Sequence, residues 1–149
     1  MVRVYQESDF ADIKELLNLL ATSNEAYKFE DCLFDADVYK EMYLVKKAYK
    51  TFVAVKNKVV GFVLGEHFCN DVFAILMLYI HPEFRREYYA LCLKNIIVDY
   101  ARENGYKQII SQVRTNNLES IKMNKRARWD ITPDRILPDY YIECSKNLG

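Results

Sequence analysis

Net charge is the first thing this sequence lacks: 21 lysines and arginines stand against 21 aspartates and glutamates. That balance removes the uniform positive field that holds a sequence-independent binder on phosphate at physiological salt, so a nucleic-acid partner is not expected. Paired cysteines are missing as well. Cys32, Cys69, Cys92 and Cys144 form no C-x-x-C pair, and they read as reduced, buried thiols. The N-terminal Met1-Val2-Arg3-Val4-Tyr5-Gln6-Glu7 has no cationic segment followed by an apolar run, the pattern of an export signal. Long hydrophobic stretches are also absent: the longest, Val72 to Ile80, has nine residues, about half of the ~20 that a membrane-spanning helix needs. These absences place the chain in a reducing cytoplasm, away from membranes. There is no internal repeat, low-complexity tract or linker, and no G-x-S-x-G elbow, Walker loop, H-E-x-x-H or clustered zinc ligands, so no metal is expected.

What is present suffices for one domain. The 149 residues are 51% hydrophobic and 28% charged, enough to bury a core without disulfides or metal. Val2 to Tyr5 alternates β-formers, and Ser8-Asp9 supplies capping oxygens for a helix whose Ile13, Leu16, Leu17 and Leu20 fall on one face. A second helix is expected near Ala36 to Ala48. Thr51 to Val55 and Val59 to Leu64 read as a hairpin across Lys56-Asn57-Lys58, and Val72 to Ile80 as a central strand buried on both faces, ended by Pro82.

The longest helix is expected over Arg85 to Asn104, with Tyr89, Leu93, Ile96, Ile97, Tyr100 and Ala101 in phase and Gly105 as its terminator. Lys107 to Val113 reads as a strand and Asn117 to Ala127 as a short basic helix. Trp129-Asp130-Ile131 and Tyr140-Tyr141-Ile142 read as the last β pieces. The sum, β-α-α-β-β-β-α-β-α-β-β, is an α/β (α+β) mixed β-sheet flanked by helices.

With Leu78-Tyr79-Ile80-His81-Pro82-Glu83-Phe84-Arg85, this order resembles the GNAT superfamily of N-acetyltransferases, which carry an acyl group from acyl-coenzyme A to an amine. The resemblance spans nearly the whole chain, as a single domain over residues 1–149. The segment looks like the end of the family's central strand and the turn V-x-P-x-[YF]-R. Arg85-Arg86-Glu87-Tyr88-Tyr89-Ala90 then stands where the family writes its pyrophosphate loop, [QR]-x-x-G-x-[GA]. Here the first glycine is Tyr88, whose side chain must turn away if the diphosphate is to keep its place. Backbone N–H groups at a loop-to-helix junction hold a diphosphate whatever the side chains are.

Asn117 to Trp129 resembles the later motif N-x-x-[AS]-x-x-h-Y-x-x-x-G-F, in which Asn117, Ser120, Met123 and Trp129 agree. The tyrosine that often serves as general acid is Asn124, and the glycine before the aromatic is Arg128. A carboxamide can only donate a hydrogen bond where a phenol can yield a proton. Family members often carry an acid on the central strand, but the matching positions here are Ala74, Leu76 and Met77. Glu66, on the preceding strand, is the nearest substitute, with His67 beside it and Glu83 in the turn.

The resemblance thus implies acetyl-CoA as acyl donor, held by Leu78, Tyr79, Ile80, Arg85, Arg86, Glu87, Tyr88, Tyr89, Ala90 and Asn117, with Glu66 and Asn124 as candidate catalytic residues. A backbone N–H of Leu78 to Ile80 would polarise the thioester carbonyl. His81 reads as a structural turn residue. Lys122, Lys125, Arg126 and Arg128 read first as a solvated face, and otherwise as a grip on the cofactor's 3′-phosphate or on a nucleic acid. Glu25 to Glu41 carries six acids against two lysines, which suits a small-molecule or peptide amine arriving as a cation. A homodimer through the C-terminal strands is compatible with the resemblance. The alternative is a catalytically silent domain of the same fold that binds CoA or a macromolecule without turnover; an unrelated small α/β protein is a third.

Overall fold

A computed structural model describes residues 1–23 and 35–149. Cys32 and much of the acidic segment lie outside those residues. The chain runs through β1 (Val2–Val4), a 3-10 turn (Glu7–Asp9), α1 (Phe10–Thr22), and α2 (Ala36–Tyr39), which widens into a π turn (Lys40–Leu44). A meander follows: β2 (Tyr49–Lys56), β3 (Lys58–Cys69) and β4 (Val72–Ile80). Then come a 3-10 turn (Pro82–Phe84), α3 (Tyr89–Glu103), β5 (Gln108–Arg114), α4 (Leu118–Arg126), β6 (Asp130–Pro133) and β7 (Tyr141–Asn147). The order of α-helices and strands is the one that the periodicities predict.

All seven strands form one sheet in the order β1-β2-β3-β4-β5-β7-β6, with β4 at its centre. Both faces of β4 are covered, as its apolar run requires. On one face α1 presents Ile13, Leu16, Leu17 and Leu20, none more than 2% exposed, to Val53, Phe62, Leu64, Met77 and Tyr79. On the other, Leu93, Ile97 and Ala101 of α3 pack on Phe52, Val63, Phe73, Ile75 and Ile109. Gly65 permits that approach, because a Cβ there would lie 2.5 Å from the Phe73 ring and 2.9 Å from Ile97. At the sheet edge, Arg3 grips Asp9 with two hydrogen bonds of 2.8 Å, and Asp9 also accepts from the Gln6 N–H.

Several boundaries differ from expectation. β3 continues through Gly65, Glu66 and His67 to Cys69, because pairing with Ala74 and Phe73 of β4 carries it past its apolar run. The second helical segment stops at Leu44, short of Ala48. α3 starts at Tyr89 rather than Arg85, since Tyr88 has left-handed backbone that no helix contains. Arg85 and Arg86 therefore sit in the loop ahead of the helix, not on its first turn. The thiols are not uniformly buried either: Cys144 is, Cys69 is half-buried, and Cys92 is exposed on the outer arc of α3. Among the described residues no disulfide forms and no helix is long and apolar enough to cross a membrane.

Candidate active site

β4 and β5 lie parallel and pair only from Val72↔Gln108 to Ile75↔Ser111. Beyond that point β4 stays with β3 as far as Ile80, while β5 stays with β7 as far as Arg114. The two strands fork. A bulge marks the branch point: the β3 register steps from Gly65↔Ile75 to Leu64↔Met77, leaving Leu76 as the extra residue. One added residue inverts the side-chain alternation. Phe73 and Ile75 face α3 before it, Leu78 and Ile80 face α3 after it, and Met77 and Tyr79 turn toward α1. Past the bulge, the β5-facing backbone edge of β4 has no strand partner among the described residues.

The fork opens into a cavity of about 240 Å³. Of the residues singled out in the sequence, Leu78, Tyr79, Ile80, Arg85, Ala90 and Asn117 line it. Arg85 is fixed at its mouth, its Nε donating to the Ile80 carbonyl at 3.0 Å and its guanidinium lying 5.3 Å from the centre of the Tyr79 ring. Asn117 caps α4, its Oδ1 accepting from the Ser120 N–H. His81 Nδ1 accepts from the Glu83 N–H, the structural role expected of it.

Arg86, Glu87, Tyr88 and Tyr89 shape the loop without lining the cavity. Glu87 is paired with Lys56 at 2.7 Å, and Tyr89 packs against Phe84. Tyr88 adopts φ 65° and is 76% exposed, so its ring stands in solvent while its backbone holds the conformation a glycine would take. The first N–H bonded within this turn is that of Cys92, to the Tyr88 carbonyl at 3.0 Å. The N–H groups of Tyr89, Ala90 and Leu91 precede it, as the orphan donors of a helix N-terminus.

Glu66 lies apart. It sits opposite Ala74 and Tyr49, on the face covered by α1, and is not among the cavity-lining residues. Its carboxylate acts on the Tyr49 phenol, which burial and this neighbour push up. His67 points to the other face, its Nδ1 3.2 Å from the Tyr106 hydroxyl.

Four polar residues in the cavity wall, Lys94, Ser111, Gln112 and Glu119, went unnoticed in the sequence, and two of them build its polar contacts. Gln112 of β5 donates from Nε2 to Asp134 at 3.1 Å. Burial works against ionisation of Asp134, yet the Leu137 and Ile136 N–H groups and Gln112 together hold its pKa below the usual value, so it serves as a loop anchor. The adjacent polar pair Ser111-Gln112, which interrupts the apolar strand at the fork, is the signal that could have marked this wall.

Lys94 of α3 is the other. It lines the cavity at 5% exposure and donates from Nζ to Oδ1 of Asn124, itself 1% exposed. The ammonium also lies 4.0 Å from the centre of the Trp129 ring. Asn124 is locked from its other end, since Nδ2 donates to the Ser120 carbonyl at 2.8 Å. Trp129 is set by the turn that ends α4: its N–H bonds the Asn124 carbonyl at 3.0 Å, the Arg128 N–H bonds that of Lys125 at 3.1 Å, and Arg128 takes φ 63°. That is a Schellman turn with arginine in the glycine position. No carboxylate pairs with Lys94 among the described residues, and burial lowers its pKa to about 8. The helix phase contained the clue, because position 94 falls between Ala90 and Ile97 on the buried arc.

The model of the acetyltransferase (GNAT) family matches residues 12–127. The chain belongs to that family. Among solved structures, a ribosomal-protein-alanine N-acetyltransferase from Brucella melitensis superposes with a TM-score of 0.82 at 16% identity, covering 99% of both chains. An N-acetyltransferase from Staphylococcus aureus Mu50 gives 0.78 at 16% identity, covering 100% of this chain and 98% of the other. The PaiA N-acetyltransferase of Thermoplasma acidophilum, solved in complex with coenzyme A, gives 0.74 at 11% identity over 96% of each. At these identities the likeness is one of fold. No curated protein matches the sequence. As a GNAT chain with a forked sheet, this one places Tyr88, Asn124 and Arg128 where the family motifs have glycine, tyrosine and glycine.

Proposed function

We propose that residues 1–149 act as one domain, an acetyl-CoA-dependent N-acetyltransferase that passes the acetyl group to an amine by direct attack. The supporting observation is the fork itself: the edge of β4 at Leu78 to Ile80, from which β5 has turned away, and the N-terminus of α3 open onto one cavity. The residues present fit the donor. Tyr88 keeps its ring out of the loop, and the Tyr89, Ala90 and Leu91 N–H groups, with Arg85 and Arg86 nearby, suit a diphosphate. Asn117 and Met123 wall the cavity beyond them.

Acetyl-CoA, when bound, supplies the acyl group as a thioester. The Leu78 to Ile80 edge offers an N–H to its carbonyl, and the cavity walls hold the reacting atoms in line, which carries much of the catalysis in such a site. Asn124 has no ionisable proton to give, its Nδ2 donates to the Ser120 carbonyl and its Oδ1 accepts from Lys94, so its part is to orient that lysine. Glu66 enters as a carboxylate on the α1 face that receives the amine's proton through water. Asp35, Asp37 and Glu41 add negative charge around α2, consistent with a cationic small-molecule or peptide amine. This reading implies a cytoplasmic protein.

A second reading, a silent CoA-binding domain, is favoured by one observation: neither β4 nor the cavity wall puts a carboxylate at the usual base position, and Glu66 lies outside. Titration with acetyl-CoA by calorimetry, followed by thiol-release assays on small amines, polyamines and peptide N-termini, separates the two. Saturable binding with release of CoA to an amine supports the enzyme. Binding without release selects the silent domain, and no binding by folded protein overturns both.

A further inference from the structure

Ala90 and Lys94 stand one turn apart on the same face of α3, and both line the cavity. A ligand whose diphosphate meets the start of α3 and whose thioester meets the Leu78 to Ile80 edge must cross this face. Lys94 is thus a buried ammonium on the path to the reacting sulfur. Resting on the acyltransferase reading, we infer that Lys94, aimed by Asn124, is the proton donor to the departing thiolate, in the role that the family resemblance assigns to position 124.

The surroundings fit that task. Asn124 is neutral and accepts from Nζ, so it directs the ammonium without quenching its charge. The Trp129 ring face attracts the cation from a second side. On β7, burial pushes the Cys144 thiol up and Lys146 repels, while Glu143, which alternates to the opposite face of the strand, is paired with Arg135 at 2.8 Å. Across the cavity, Glu119 of α4 and Arg85 of the loop are the other charged wall residues. A sulfur anion in this cavity would be the charge Lys94 lacks.

In the step itself, Lys94 gives up one Nζ proton as the amine C–N bond forms and the C–S bond breaks. Sulfur keeps the electron pair of the broken bond and takes that proton. The amine loses its own proton through water to Glu66, which returns it to solvent, and Lys94 recovers one from water, so charge and atoms balance. Rate should therefore fall as pH rises through the lysine's lowered pKa.

The test needs no acceptor. Free CoA is bound to wild type, Lys94→Met and Lys94→Gln, and ionisation of the bound thiol is followed by its ultraviolet thiolate absorbance against pH. Lys94→Gln keeps a partner for Asn124, so it remains informative if Lys94→Met does not fold. The expected result is a bound thiol at least tenfold more ionised at neutral pH in wild type than in either variant, with CoA still bound by all three. Where an acceptor is turned over, both variants lose 10²-fold or more in kcat and the alkaline limb of its pH profile, roughly what removal of a general acid costs. Equal thiol ionisation in wild type and variants overturns the role of Lys94 while leaving the acyltransferase reading intact. No CoA binding by folded wild type removes both.

Discussion

Tyr88 and Arg128 hold the same left-handed backbone, φ 65° and 63°, at the two places where related motifs carry glycine. One sits at the entrance to α3 and the other at the exit of α4. In each case a side chain pointing to solvent leaves the turn intact, so the departures change cost rather than shape. An L-residue pays about 1 kcal/mol for this conformation. Tyr88→Gly and Arg128→Gly should each stabilise the fold by roughly that amount, about 2–4 °C in Tm. Tyr88→Gly should also leave acetyl-CoA affinity within a few-fold of wild type by calorimetry, since the ring lies outside the cavity; a large gain would show that it obstructs.

Lys94 should make stability depend on pH. Its pKa falls from 10.5 to about 8 on folding because burial penalises the charged form. Between those values the unfolded chain binds more protons than the folded one, so wild type gains stability with rising pH. The full effect is worth roughly 3 kcal/mol. Measured by urea titration against Lys94→Met, wild type should gain on the variant from pH 8 to pH 10; a constant difference would contradict the burial cost.

Asp9 works in the opposite direction. Hydrogen bonds from Arg3, against the penalty of burial and with help from the Gln6 N–H, hold its pKa below the carboxylate norm. Its contribution is therefore present above the unfolded pKa and disappears as pH falls through the folded one. Arg3→Met should cost about 1–2 kcal/mol at pH 7, allowing for partial exposure of the arginine. Acid titrations of both proteins should show the difference closing at low pH.

Gly65 tests the packing beneath the fork. A methyl group there meets the Phe73 ring, the Ala74 carbonyl and Ile97 of α3 within 2.9 Å. Gly65→Ala should destabilise by about 1–3 kcal/mol. Denaturant melts read this directly, and an unchanged midpoint would mean that α3 can shift away at no cost.

Much of the fold was legible because it depends on local periodicity. Ile13, Leu16, Leu17 and Leu20 form a stripe only on a helix, and the run from Val72 to Ile80 fits only a strand covered on both faces. Side-chain pattern alone thus set the order of helices and strands, and Gly105 ended α3 at φ 83° as expected. Leu78, Tyr79, Ile80, Arg85, Ala90 and Asn117 are grouped by their resemblance to family motifs rather than by periodicity, and they line one cavity.

Only tertiary structure decided the chemistry of that site. The bulge at Leu76 is a matter of register between two strands, and register is set by pairing rather than by propensity. Where β5 leaves β4 depends on what α3 and α4 place between them. Lys94 reads in isolation as a surface lysine; packing α3 against α4 and Trp129 is what strips its water and makes its proton available. Tyr88 and Arg128 read as departures from glycine until the backbone shows that both accept the strained conformation. Local sequence determined which segments fold and how; distances between residues remote in sequence determined which groups share a cavity.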